Sequence, residues 1–500
     1  MIKPPRSLIV FVLAVTLVRL AAAAIIPLSE DEAYYRLWAE HLQLGYYDHP
    51  PMIAWWVRAG MSIAGDTALG VRLIPALSAG VASLIVFDLA RTLGAVEATA
   101  SRAAVWFNAT LLIGAGGALA VPDAPNILFW TASLACLART TGPRAGGWWI
   151  AAGVAAGLAT LSKYSALFIA PGVLLWLALR PKGWRVLLTP WPWLAGLAAA
   201  ALFGLNVAWN AEHHWVTFIK QFGRAVPGAF APANLLIFLA SQAILITPSI
   251  AWFAGGGAVA ALRRHAPRPP FDLTLPLATI APFLAYLVIH GLHDRVEAHW
   301  PAPLYPAIAI IAAAASERVG EHGYLHGLSQ RAAPIGLAIS ALILLHLAWP
   351  ASDFGPADPA LGFRGWPDFA RRIEVARLAN HAAWVGTLSY GTTAELAASG
   401  QIHAPIVELR ERERYPPNDA SWTATLAQPG LVVDLSERVS SARLGRCFNT
   451  AQDLAAETRG DPGKPGIGYA LELVSGGAPP NGDCGPKIAP GAALAPSVSG

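Results

Sequence analysis

Charge is scarce in this chain: 13% of its 500 residues are Asp, Glu, Lys or Arg, against 55% hydrophobic residues. So few charges cannot clothe a soluble enzyme of this length, and the composition is that of a polytopic membrane protein. Cysteine is scarcer still, and three cysteines exclude a disulfide scaffold. Cys136 lies in an apolar run; Cys447 and Cys484 lie in a polar carboxyl-terminal region, where an oxidising compartment would let them pair if their geometry fits. Long blocks of like charge are also missing. Lys+Arg 35 against Asp+Glu 31 gives a net +4, and the basic residues form short clusters between apolar runs, which set membrane orientation and offer no nucleic-acid surface. No internal repeat is visible.

What is present is a ladder of apolar segments. Residues 1–24 place Lys3 and Arg6 ahead of an apolar stretch that Arg19 interrupts and residues 25–27 extend towards spanning length; a cleavable signal peptide is the alternative. Further segments at 69–93, 103–119, 124–137, 148–161, 165–179, 191–207, 235–262, 273–289, 301–315 and 332–349 bring the count to about eleven spans. With a cytoplasmic amino terminus and alternating spans, the clusters Lys3/Arg6, Arg91/Arg102, Arg139/Arg144, Arg180/Lys182/Arg185, Arg263/Arg264/Arg268 and Arg318/Arg331 all face the cytoplasm. Nearly every candidate catalytic group then falls in the opposite loops.

An odd span count sends the tail to the outer face. Residues 351–474 have soluble-domain composition, with strand patterns at 383–387 and 430–434 and a helical pattern at 367–379, so a small α/β domain is expected there. From 475 to 500, Gly, Pro, Ala and Ser dominate and disorder is expected. The fold class is therefore mainly α: transmembrane residues 1–350 followed by this extracytoplasmic domain.

Residues 29–56 gather carboxylates, two histidines and several aromatics in the first polar segment after an apolar helix. Ser29 and Glu32 fit a capping box that opens a helix through Tyr34, Tyr35, Trp38 and His41. Asp31 falls in its first turn, where the helix dipole should lower its pKa; it is either a helix-end charge or a functional carboxylate at the bilayer boundary. Asp48-His49 precede Pro50-Pro51 and could contact a phosphate or cation, while Trp55 and Trp56 have interfacial character. Asp123, between prolines at a span entrance, is either an N-cap or a second active-site carboxylate. Lys163 is either a snorkelling lysine or a phosphate ligand.

Taken in order, Asp31-Glu32 after the first span, the loop ending in Pro50-Pro51, Val121-Pro122-Asp123-Ala124-Pro125, Leu161-Ser162-Lys163-Tyr164, and Glu297-Ala298-His299-Trp300-Pro301 with Tyr305-Pro306 resemble the polyprenyl-phosphate-sugar glycosyltransferases of GT-C fold. Aminoarabinose transferases of lipid A and protein O-mannosyltransferases, glycosyltransferase families 83 and 39, are the similar groups. The resemblance implies an inverting transferase in a bacterial inner membrane, with a polyprenyl-phosphate-linked sugar donor and a hydroxyl of lipid A, lipopolysaccharide, another envelope glycan or a protein as acceptor. It implies Asp31 as general base, with Glu32 and Asp123 as companion carboxylates. Tyr34, Tyr35, Asp48, His49, Arg58, Arg72, Lys163, Tyr164, Arg295, Glu297 and His299 are the expected substrate contacts. The aminoarabinose-type relatives carry Glu-Lys before Pro-Pro, where this chain has Asp48-His49, so the phosphate contact passes to His49, Lys163 or an arginine.

No cofactor is required by this reading. A divalent metal on His213, His214, His293 or His299 with Glu297 is a second option. A lipid-linked sugar flippase would need ionisable groups along the path to the inner face, for which Asp88 is the main candidate, and a scaffold role would leave the Asp31 loop unexplained.

Overall fold

The computed structural model describes residues 1–500 except 143, 224–227, 263–270, 320–321, 351–353, 356–357, 412–413, 416–421, 461–465 and 478–500. The basic cluster Arg263/Arg264/Arg268, Cys484 and most of the expected disordered tail lie outside the described residues. The chain divides into two units: a helical one of Met1–Ala24 and His49–Leu344, and a second of Ile25–Asp48 and Leu345–Gly500. The segment around Asp31, expected within the transmembrane part, therefore groups with the carboxyl-terminal unit.

In the helical unit every expected apolar segment contains helix. Among the described residues five helices are long and apolar enough to cross a bilayer: Arg6–Ile25, Ala68–Thr92, Trp191–Glu212, Thr274–Gly291 and Tyr324–Ala348. The expected segment 235–262 is instead a pair, Pro232–Leu245 and Pro248–Leu262, bent by 109°. Thr247 adopts a left-handed conformation there, and Pro248 supplies no N–H to continue the first helix. Counting that pair as one span gives six by length and composition; shorter apolar helices such as Ala145–Thr160 make up the remaining expected segments. The segment 103–119 is likewise divided, into Glu97–Ala109 and the short turns Leu111–Gly114 and Gly116–Ala118.

Small residues let these helices approach closely, since apolar burial drives little association within lipid. A Cβ at Gly153 would stand 2.1 Å from the Ala195 carbonyl oxygen, and one at Gly336 2.0 Å from that of Ala109. Thr247 Oγ1 donates to the same Ala109 carbonyl at 2.8 Å, holding the bend. Asp88 accepts from Arg139 at 2.7 Å on both oxygens, so the carboxylate considered for a transport path is neutralised by an ion pair.

Among its described residues the second unit is built on a six-stranded sheet: β1 (Trp384–Thr387), β2 (Ile406–Glu408), β3 (Gly430–Leu435), β4 (Thr450–Asp453), β5 (Glu457–Arg459) and β6 (Ile467–Ser475). The order is β2-β1-β3-β6-β4, with β5 also on β6. β1 runs parallel to β2 and β3, while β6 is antiparallel to β3. The two-residue period divides the sheet's apolar side chains. Val385, Leu431, Val433, Tyr469 and Leu471 join Trp366, Phe369 and Ile373 of the helix Trp366–Ala379 on one side; Trp384, Val432 and Val474 meet Leu409 and Phe448 on the other. Cys447 is disulfide-bonded, and Cys136 is free.

Candidate active site

The helix Glu30–Glu40 opens as its sequence dictates. Glu32 N donates to Ser29 Oγ at 3.4 Å, and the Ser29 amide donates to Glu32 Oε2 at 3.0 Å, the reciprocal pair of a capping box. Glu32 is fully buried, and this structural use takes up one oxygen of its carboxylate. Asp31, one residue earlier, keeps open surface. Its Oδ1 receives the Tyr390 hydroxyl at 2.8 Å.

Protein crowded around the Asp31 carboxyl raises its proton affinity above the ordinary carboxylate range; Asp48 and Glu32 act in the same direction, and the Tyr390 hydrogen bond and Arg414 oppose them. The expected lowering by the helix dipole is thus overturned. A dipole worth a fraction of a kcal/mol at a helix end, typically ~0.3–1, gives way to desolvation and two neighbouring carboxylates. The raised value makes Asp31 a better base than its position on the helix alone implies.

Asp48 is held inside the same unit. Its Oδ2 accepts the Tyr34 hydroxyl at 3.0 Å and pairs with Arg414 Nη1. Arg414 also pairs with Glu411, and its guanidinium lies 4.8 Å from the Tyr47 ring centroid and 4.7 Å from that of Tyr390. Tyr34 and Tyr35, expected to touch substrate, are buried at 1% and 5% exposure among Trp38, Tyr390 and Tyr415. Their rings pack within this unit, and the Tyr34 hydroxyl is engaged by Asp48. Asp48 forms an ion pair with Arg414.

Tyr390, Arg414 and Tyr415 were not singled out from the sequence. Ser389 followed by Thr392 is an N-cap pattern, and the cap is formed. Arg414 lies in a run of alternating charge that reads as a solvated surface.

In the helical unit three expected residues come together. Lys163 Nζ stands 2.8 Å from both oxygens of Asp123, and His299 Nε2 lies 3.9 Å from Asp123 Oδ2. Asp123 is the first residue of the helix Asp123–Leu137, where no side-chain cap bond is made, and its carboxylate is engaged by Lys163. Crowding by protein and the charge of Lys163 pull the His299 pKa down to about 4 against the pull of Asp123. At 3.9 Å the ring stands beyond hydrogen-bond reach of Asp123.

The other expected contacts scatter. The Tyr164 hydroxyl donates to Asn206 at 2.7 Å. Arg72 is fully buried and donates to the Ala23 carbonyl at 3.2 Å. Arg295 pairs with Glu297 at 3.3 Å on the surface, a contact of small energetic weight. Arg58 is exposed, and His49 is half-buried. His213 stacks on Trp209 and His293 meets the Ile289 carbonyl. Among the described residues no group of three or more His, Cys, Asp or Glu side chains gathers to hold a metal.

Comparison with known proteins places these clusters in context. Residues 48–209 match the family model of dolichyl-phosphate-mannose-protein mannosyltransferases. The lipid A galacturonosyltransferase RgtD of Rhizobium johnstonii is 32% identical over 217 residues, 42% of this chain and 44% of that protein. An undecaprenyl phosphate-alpha-4-amino-4-deoxy-L-arabinose arabinosyl transferase of Pseudomonas fluorescens is 26% identical over 35% of this chain and 32% of its own length. The chain thus spans less than half the length of the curated relatives it matches. ArnT from Cupriavidus metallidurans, solved with undecaprenyl phosphate, superposes with a TM-score of 0.63 at 14% identity, covering 92% of this chain and 97% of that one. The arabinofuranosyltransferase AftD from Mycobacteria gives 0.52 at 17% identity, over 95% of this chain and 40% of that one. The fold is the GT-C fold of a multi-pass membrane protein, and the relatives named are glycosyltransferases.

Proposed function

We propose that this chain transfers a sugar from a polyprenyl-phosphate carrier to a hydroxyl of a lipid A-type or other envelope acceptor at the outer face of a bacterial inner membrane. The observation that carries the reading is Asp31: a carboxylate at a helix start, open to solvent on one side, fixed by the Tyr390 hydroxyl at 2.8 Å and raised in proton affinity. The names of the relatives support the donor and acceptor classes. The basic loops support a cytoplasmic amino terminus and an extracytoplasmic α/β unit.

In the reaction, Asp31 takes the proton of the acceptor hydroxyl as that oxygen bonds to the anomeric carbon. The bond from that carbon to the phosphate oxygen breaks, and its electron pair leaves with the polyprenyl phosphate, inverting the centre. The developing phosphate charge calls for fixed cations. Lys163 is assigned this part, with Arg58 and His49 as further phosphate contacts and Asp123 holding the lysine until the donor arrives. Glu32 caps the helix that carries the base. No metal is required.

The test is transfer in proteoliposomes supplied with labelled polyprenyl-phosphate sugars and extracted envelope lipids, comparing wild type with Asp31→Asn. Wild type should transfer, and the folded variant should lose roughly 10²–10⁴-fold, the scale of general-base catalysis. Movement of the donor across the bilayer by wild type without a glycosylated product would replace this reading with a flippase.

A further inference from the structure

The carboxyl-terminal sheet does more than stand beside this chemistry. Its parallel strands end close to Asp31, and those ends are tied together. Asp434 at the end of β3 is fully buried and accepts from the Leu388 amide at 2.8 Å and Ser389 Oγ at 3.0 Å, fixing the turn that follows β1. Ser389 caps the helix Tyr390–Ala398, so Tyr390 is the first residue of an element anchored to two strands. Its backbone carbonyl accepts the Tyr415 hydroxyl at 2.6 Å. The next residue, Gly391, packs against the helix carrying Asp31: a Cβ there would stand 2.2 Å from Glu30 Oε2.

The ring of Tyr390 is fixed from one side by the guanidinium of Arg414, which also contacts the Tyr47 ring and is held by Asp48 and Glu411. A ring alone would satisfy that packing. The hydroxyl is a separate investment, and its hydrogen-bond partner among the described residues is Asp31 Oδ1. One oxygen of the base is thereby taken and the other has no hydrogen bond among the described residues, so a proton can be received at Oδ2 without reorienting the carboxylate.

We propose that the α/β unit is a working part of the transferase, in which Tyr390 positions Asp31 and Arg414 positions Tyr390. This rests on the reading of Asp31 as the base. The carboxylate is held by a neutral donor, which orients it and leaves it able to accept a proton; a cation in direct contact would bind it more strongly and weaken it as a base.

Tyr390→Phe keeps the ring and its contact with Arg414 while removing the hydroxyl. In the full-length protein kcat should fall ~10- to 100-fold, the loss expected for a hydrogen bond to a charged group, with donor KM nearly unchanged. The acid limb of the pH–rate profile should move to higher pH, because this hydroxyl lowers the Asp31 pKa; Asp48, Glu32 and Arg414, which also act on Asp31, stay in place. Arg414→Lys should give a smaller fall in kcat with the acid limb displaced the same way. A Tyr390→Phe enzyme with wild-type kcat and an unmoved acid limb would reduce Tyr390 to packing. Infrared titration of the Asp31 carboxyl band, identified by its loss in Asp31→Asn, separates this from the proposed function. If wild type transfers no sugar, the functional reading falls, while a band that titrates at the same pH with and without the hydroxyl would independently overturn the positioning role.

Discussion

Lys163 Nζ stands equidistant, at 2.8 Å, from the two carboxylate oxygens of Asp123, and the two side chains keep only 13% and 7% of their surface. In such a pair the desolvation of each charge is offset mainly by the other, so removing one member strands its partner. Asp123→Asn and Lys163→Gln should each destabilise the helical unit by about 3 kcal/mol, and the double variant by clearly less than their sum. Thermal unfolding in detergent reads this coupling. Additive losses would show that the two groups are solvated independently.

Arg414 is predicted to tolerate lysine poorly although the charge is conserved. Its planar guanidinium reaches Asp48 and Glu411 while lying against two tyrosine rings, and an ammonium offers neither the fork nor the flat face. Arg414→Lys should cost the α/β unit about 1–2 kcal/mol, and Arg414→Met more, because Asp48 is then left half-buried without its cation. Hydrogen exchange along β1 and β3 should speed up in that order. Equal exchange in Lys and wild type would mean that only the charge matters.

Local rules were legible wherever a few neighbouring residues decide the outcome. The strand patterns at 383–387 and 430–434 emerge as β1 and β3, and the helix expected at 367–379 is Trp366–Ala379, because both faces of the sheet are apolar and the helix is amphipathic. The capping box of Ser29 and Glu32 is a four-residue event and forms as written. Asp123 and Lys163 were both named, though nothing in a 40-residue separation announces that they pair. Tyr390 lies 359 residues from Asp31 and Arg414 366 from Asp48, and no window of the sequence carries such a contact. The dipole expectation for Asp31 failed for the same reason: the dipole is local, whereas the Tyr390 side chain and the Asp48 and Arg414 charges that act on it come from distant parts of the chain. The 109° bend did have a local marker, Thr247-Pro248, hidden by reading the surrounding apolar run as continuous.

Chelation should leave transfer unchanged. The leaving phosphate is assigned to Lys163, Arg58 and His49, so a divalent ion has no charge left to neutralise that these cannot meet. Activity measured after exhaustive treatment with a chelator, then with magnesium or manganese restored, checks this. A loss that the metal reverses would put a cation in the site after all.

Glu408, at the end of β2, gives the α/β unit a predictable pH dependence. The side chain is 4% exposed, its Oε2 accepts the backbone amides of Arg410 and Glu411, and its Oε1 has no hydrogen-bond partner among the described residues. Burial pushes its pKa up to about 8, with Glu411 adding to the shift and the two amides and Arg414 opposing it. In the unfolded chain the same carboxyl titrates near 4.5. The folded state therefore binds the proton more tightly: the stability this group confers is complete below about pH 4.5, declines as pH rises, and is gone above about pH 8. Glu408→Gln keeps the shape and both amide contacts but cannot ionise. At pH 4.5 the variant should match wild type; near pH 7.5 its α/β unit should be more stable by on the order of 3 kcal/mol, since wild type must then hold a proton that its unfolded chain has released. Unfolding of the two proteins across that pH range is the measurement. Parallel curves would mean that Glu408 is ionised in the folded protein, with Arg414 as its counter-charge, and that the cation beneath Tyr390 is shared between Asp48 and the end of β2.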